Sequence, residues 1–230
     1  MVPLDGSESV LKLSPVHTEA LHEAEGLRFW DGDGCVRLHA AASLGEVSAL
    51  VLERCSPGTP LGEALPEPEQ DVVVAGLLRR LWRPAGSPFR PLWQMCDFWA
   101  DGFDRWYAAE PVLDAGLARA GVALFRSLPR DAVENVLLCT DLHGGNILAA
   151  AREPWLVIDP KPYVGDPCYD VLQHMLNCSR LESDPLGLAD RMATLADLDR
   201  DRVRRWLFAR CVLESLERPE LRAVAARIAP

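Results

Sequence analysis

The sequence lacks what would mark a disulfide framework, a zinc site or a membrane anchor. Its seven cysteines (Cys35, Cys55, Cys96, Cys139, Cys168, Cys178 and Cys211) form no C-x-x-C pair, and their number is odd. They read as reduced, mostly buried thiols of a cytosolic protein. No apolar run approaches the roughly 20 residues of a membrane span. The N-terminus shows no basic-then-apolar leader pattern. These absences predict a cytoplasmic chain without a membrane partner. Basic residues are also scarce: 24 Lys and Arg face 34 Asp and Glu, a net charge of -10. That argues against nucleic acid as a main partner, because a phosphate backbone needs a basic surface. It is compatible with a cationic small substrate. There is no internal repeat and no low-complexity tract. The remaining composition, 49% hydrophobic and 25% charged over 230 residues, suits one sizeable core or two small lobes.

The most informative stretch runs from Val136 to Leu148. An apolar run delivers the chain to Asp141, a tight turn with Gly144 and Gly145 follows, and Asn146 precedes a second apolar run. A further strand-like run, Trp155 to Ile158, ends on Asp159. Two short buried strands flanking a loop would bring Asp141, Asn146 and Asp159 to one end of the pair. Two carboxylates and a carboxamide suit an oxygen-ligated hard cation such as Mg²⁺, with one carboxylate left to accept a proton from a hydroxyl. Asp141 to Asn146 is also the D-x-x-x-x-N interval of the protein-kinase catalytic loop, and Asp159 stands where a kinase places its second metal-binding aspartate. A hairpin whose polar loop faces solvent is the plain alternative.

Around this stretch the elements fall into two groups. Strands are expected over residues 9–14, 36–40 and 49–53, the last two joined by a turn at Gly45, with a helix over 18–30 ended by Asp31-Gly32-Asp33-Gly34. Lys12 lies on the first strand, where it can pair with phosphates or simply blunt an edge. Glu23 and Glu25 on the following helix are both candidates to orient it. Glu53, Arg54 and Cys55 end the last of these strands and can offer backbone groups to an adenine edge. The Ser56-Pro57-Gly58-Thr59-Pro60 break is the expected hinge. Helices are expected beyond it over 69–82, 92–109, 111–127, up to Met175, over 202–217 and over 220–228. The layout is a small lobe at 1–55 and a larger one at 56–230.

The runs T-D-L-H-G-G-N-I-L (140–148), V-I-D-P (157–160) and G-D-P-C-Y-D (165–170) resemble the aminoglycoside phosphotransferase family. More narrowly, residues 153–167 resemble streptomycin 6-kinases and related hydroxyurea-type phosphotransferases, with support from residues 10–13, 22–32 and 207–211. The resemblance covers most of the chain. It implies an α+β, protein-kinase-like bilobal fold that moves the γ-phosphate of ATP to a hydroxyl of streptomycin, a reaction that confers aminoglycoside resistance. ATP and Mg²⁺ are the implied cofactors, and a streptomycin-like aminoglycoside is the implied partner.

Carried over by residue, Asp141 matches the catalytic base, Asn146 and Asp159 the metal ligands, and Lys12 the phosphate-binding lysine. Glu23, four residues before Leu27, is selected over Glu25. Glu53 and Cys55 complete the nucleotide-binding set. His143 reads as a loop-positioning residue. Asp166 and Asp170 read as loop braces, with a helix cap at Asp166 as the alternative. The chain departs from the family in two places. Cys139-Thr140 replaces the usual His-Gly, which reads as a packing variation. Only eleven residues precede Lys12, so the small lobe is expected to be N-terminally shortened, without a Gly-rich flap and with an open sheet edge. The competing expectations are a kinase for another hydroxylated compound and a nucleotide-binding remnant with little activity. Asp97, Asp101, Asp104 and Glu214 are candidate acceptor-site carboxylates or solvated helix charges.

Overall fold

Three strands, β1 (Ser9–Pro15), β2 (Leu38–Leu44) and β3 (Val47–Glu53), form an antiparallel sheet ordered β1-β3-β2 with β3 in the middle. The structure is a computed structural model and describes residues 8–15 and 21–230. Leu50 and Leu52 of β3 are buried, whereas Leu11 and Leu13 of β1 are exposed. Among the described residues β1 pairs only with β3. Helix α1 spans Glu23–Trp30 and stops at Asp31, whose left-handed backbone (φ 47°) begins the Asp-Gly turn. Residues 18–20, where that helix was expected to begin, lie outside the described residues.

The segment from Ser56 to Pro60 is strapped down and is no loose linker. Gly58 N–H donates to the Ala149 carbonyl, and Ala149 N–H donates to the Thr59 carbonyl, both at 2.9 Å. The chain then enters a mostly helical lobe. Helices α2 (Leu61–Ala64), α3 (Glu67–Leu81), α4 (Leu92–Ala109) and α5 (Ala115–Ser127) come first. Four short strands follow: β4 (Val136–Leu138), β5 (Ile147–Ala149), β6 (Trp155–Val157) and β7 (Tyr163–Gly165). The lobe closes with α6 (Pro167–Asp170), α7 (Leu172–Leu176), α8 (Arg180–Ser183), α9 (Pro185–Ala196), α10 (Arg200–Glu214) and α11 (Leu221–Arg227). Its core centres on α10, where Trp206, Leu207, Phe208, Ala209, Cys211 and Val212 are fully buried.

One expectation needs correcting. The strands flanking the Asp141 loop do not pair with each other. Instead β4 pairs with β7 and β5 with β6. Val136, Leu137 and Leu138 are all buried, and their backbone partner arrives only after the chain has passed Asp159. The candidate residues Asp141, Asn146 and Asp159 therefore sit between two ribbons and not at one hairpin's end.

Candidate active site

The Asp141 loop is held from below by a buried carboxylate. Asp170, in α6, accepts from Cys139 N–H at 3.0 Å, Thr140 N–H at 2.6 Å and Trp82 Nε1 at 2.9 Å. Burial pushes its pKa up to about 6, and the three donors oppose that rise. Thr140 is forced to φ 54°, a left-handed conformation unusual for a β-branched residue. Its hydroxyl donates to the Lys161 carbonyl at 2.6 Å, which helps hold it there. The position where the resemblance expects glycine is thus one where the backbone favours glycine, and threonine occupies it under restraint.

Beyond Asp141 the loop closes on itself. His143 Nδ1 accepts from Gly145 N–H at 3.1 Å, consistent with its expected role of positioning the loop. Asn146 Nδ2 donates to the Asp141 carbonyl at 2.9 Å, which leaves its Oδ1 as the atom available to a cation. A Cβ on Gly144 would come within 3.0 Å of Gly62 N, so glycine lets this loop pack directly on α2. Asp159 reaches the same place from β6. Its own φ of 52° turns the chain, and Lys161 N–H then donates to the Cys139 carbonyl at 2.9 Å.

The small lobe contributes a cation and a carboxylate. Lys12 Nζ lies 2.7 Å from both Glu23 oxygens and 2.5 Å from Asp159 Oδ1. Glu23 is buried, and burial raises its pKa against the pull of Lys12. Glu25 faces outward toward Arg28 at 3.6 Å. Helix α1 can approach because a Cβ on Gly26 would meet Pro162 Cγ at 2.4 Å. Lys161, which the motif reading did not single out, completes the arrangement. Its Nζ is 3.1 Å from Asp141 Oδ2 and 3.5 Å from Asp159 Oδ2. Burial alone would lower its pKa, but Asp159 and Asp141 outweigh that and raise it. The result is an alternating line of charges: Glu23, Lys12, Asp159, Lys161, Asp141.

The donor set fits a hard divalent cation. Asn146 and Asp159 offer only oxygen, as Mg²⁺ prefers, and the ammonium between Asp141 and Asp159 shows that the space between them suits positive charge. Glu53 is engaged elsewhere. Its carboxylate takes Arg152 at 2.9 Å on each oxygen, and its N–H donates to the Arg37 carbonyl. Neither Glu53 nor Cys55 bonds to the charged line among the described residues. Asp170 is the loop brace. Asp166 caps α6 through Cys168 N–H and anchors Arg202 and Trp206 at 2.6 Å each.

On the far side of Asp141 lies a cavity of about 110 Å³ lined by Met95, Trp99, Tyr163, Gln173 and Arg210, together with Asp141 and Lys161. Trp99 also borders a wider cleft of about 580 Å³ with Phe98, Phe103, Trp106 and Glu214. The other helix carboxylates face neighbouring arginines. Asp101 and Asp104 hold Arg126 at 2.7 and 3.0 Å, and Asp97 holds Arg130 at 2.5 Å.

A family model described as "Aminoglycoside/hydroxyurea antibiotic resistance kinase" matches residues 1–219. A hydroxyurea phosphotransferase of Kitasatospora aureofaciens is 38% identical over 225 residues, covering 94% of this chain and 64% of that protein. A streptomycin 6-kinase of Streptomyces griseus is 35% identical over 227 residues, covering 92% and 71%. The chain thus spans about two thirds of the length of these relatives. Among solved structures, an aminoglycoside phosphotransferase in complex with ADP and hygromycin B is similar in fold, with a TM-score of 0.58 at 16% identity, covering 97% of this chain and 84% of that one. A choline kinase from Streptococcus pneumoniae is similar at a TM-score of 0.60 and 13% identity, with the same coverage. At such identities these two likenesses speak for the bilobal kinase-like fold alone.

Proposed function

The chain belongs to the aminoglycoside/hydroxyurea antibiotic resistance kinases, and on that premise we propose that it is an ATP-dependent phosphotransferase acting on a hydroxyl of a small acceptor. The observation that carries this reading is the charged line from Glu23 to Asp141, with Asn146 beside it. Phosphoryl transfer asks a protein mainly for positioning and charge stabilisation. Lys12, oriented by Glu23, holds nucleotide phosphates. Asn146 and Asp159 would hold Mg²⁺, which supplies charge neutralisation to the phosphates when bound. Asp141 accepts the proton of the acceptor hydroxyl. Residues 1–55, with Glu53 and Cys55 at the edge of the hinge, form the nucleotide lobe, and residues 56–230 the catalytic and acceptor lobe.

Streptomycin is the acceptor of the leading reading, supported by the streptomycin 6-kinase relative, while the hydroxyurea phosphotransferase relative supports a different one. A second reading, a compact uncharged acceptor of the hydroxyurea type, has its own support. The cavity beside Asp141 is small and carries Arg210 and Lys161, and Asp97, Asp101 and Asp104 are each paired with an arginine. Incubating the chain with Mg²⁺, γ-labelled ATP and each acceptor in turn separates the readings. Label on streptomycin supports the first, label on hydroxyurea the second. Tight ATP binding with label on neither points to another hydroxylated compound. Absence of both binding and transfer refutes the kinase reading and leaves a non-catalytic remnant that binds nucleotide weakly or not at all.

A further inference from the structure

Only two of the 24 basic residues are lysines, Lys12 and Lys161, and the other 22 are arginines. Both lysines grip the same carboxylate: Lys12 on Asp159 Oδ1 at 2.5 Å and Lys161 on Asp159 Oδ2 at 3.5 Å. An ammonium is a compact charge with rotatable donors, whereas a guanidinium is a planar fork. These are the two places where the chain departs from its otherwise uniform use of arginine.

Lys161 is set with care. Its N–H and carbonyl are bonded to Cys139 and Thr140, the two residues before Asp141. Its ammonium stands 3.1 Å from Asp141 Oδ2 and faces the cavity beside it. The Asp141–Asn146 loop carries no lysine or arginine of its own, and the His143 ring is engaged with Gly145 N–H. Resting on the kinase reading above, we propose that Lys161 is a catalytic residue whose ammonium contacts the γ-phosphoryl group of ATP as it passes to the acceptor. In that step the hydroxyl oxygen forms a bond to phosphorus, and its proton goes to Asp141. The bond from phosphorus to the β–γ bridging oxygen breaks, and its electron pair stays on ADP. Lys161 remains protonated throughout and offsets charge on the non-bridging oxygens. A stabilising role alone accounts poorly for its position, since its partners Asp141 and Asp159 are 27% and 36% exposed and such pairs add little to stability.

The experiment compares wild type, Lys161→Met and Lys161→Arg. It measures ATP and ADP affinity by calorimetry with Mg²⁺, and turnover on whichever of streptomycin and hydroxyurea is phosphorylated. ATP hydrolysis to water and the melting temperature are followed in parallel. For Lys161→Met the expected result is ADP affinity within about twofold of wild type and ATP affinity reduced about tenfold. Its turnover falls by a factor on the order of 10² to 10³. Lys161→Arg regains the preference for ATP over ADP and part of the turnover. Equal losses of ATP and ADP affinity overturn the assignment, as does a raised acceptor KM with kcat and ATP affinity intact. Wild type that binds no ATP refutes the kinase reading and this proposal together. Wild type that binds and turns over, beside a Lys161→Met variant that does the same, overturns only the role of Lys161.

Discussion

Asp170 shows how a single buried side chain fixes the backbone just before Asp141. Its two oxygens receive three donors, two of them the backbone N–H groups just before Asp141. In Asp170→Asn one oxygen becomes an NH₂ group that must point at a donor. Leaving a buried donor unpaired costs about 1–3 kcal/mol. The expected outcome is a loss of that size in urea denaturation at pH 7, with turnover reduced and ADP affinity kept, because Lys12 and Glu23 are untouched. Unchanged turnover in a folded variant would contradict the brace role. Residues of this kind were only partly legible. Asp141, Asn146 and Asp159 announce themselves by spacing and by the apolar runs before them. Lys12 and Glu23 were legible as a strand lysine with a helix carboxylate to orient it, and the structure joins them by two short contacts. Lys161 sits in a Pro-Lys-Pro run with no periodicity. Its meaning lies in distances to Asp141 and Asp159 that no local pattern encodes.

Four helices of the larger lobe meet at one carboxylate. Asp71 of α3 is fully buried and takes His174 of α7 at 2.9 Å, Arg180 of α8 at 2.7 Å and Arg191 of α9 at 2.7 Å. Cys178 also lies within reach, but two guanidiniums already answer the charge of Asp71, and the thiol is pushed up to about 12 by burial. The group is a salt-bridge network and not a cation site. Burial would raise the pKa of Asp71, but bonds from His174, Arg180 and Arg191 outweigh that and hold it at about 2. Folded Asp71 therefore loses its charge at lower pH than unfolded Asp71, whose value is near 3.8. Its contribution is full above about pH 4 and disappears as pH falls toward 2, a change of about 2 kcal/mol. Asp71→Ala is expected to cost about 3–5 kcal/mol at pH 7, because it strands buried partners. Urea denaturation from pH 5 down to pH 2.5 checks the sign: the gap between wild type and variant should shrink. At this scale helices α3, α4 and α10 were readable within a few residues. Helix α9 was not, because Pro185 and Gly187 interrupt its first turn, and its start is marked by Asp184 capping Gly187 N–H at 3.0 Å. The pairing of β4 with β7 was hidden for a different reason: about 25 residues separate partners of only three residues each.

At the scale of the molecule, the contact between Lys12 and Asp159 depends on what keeps the small sheet in register with the larger lobe. The hinge strap at Gly58 and Thr59 is one restraint. Residues 34–36 supply another, with Val36 N–H donating to the Val157 carbonyl and Val157 N–H to the Gly34 carbonyl, both at 3.0 Å. The third is Arg152, in the turn between β5 and β6. Its guanidinium donates to both oxygens of Glu53, to the Gly32 carbonyl at 2.8 Å and to the Cys35 carbonyl at 2.9 Å. One planar fork thereby ties the end of β3 and the turn after α1 to the β5–β6 ribbon. A lysine cannot reproduce that fork. Arg152→Lys is expected to cost about 1–3 kcal/mol, concentrated in the small lobe. Hydrogen exchange should quicken in β2 and β3 while α10 keeps its protection. ATP affinity should fall although the substitution touches neither Lys12 nor Asp159, and saturating nucleotide should recover much of the lost stability, since ligand at about 100 times its dissociation constant adds about 2.7 kcal/mol. Exchange that quickens equally in β3 and α10 would show that Arg152 supports the whole fold and not the seating of one lobe on the other.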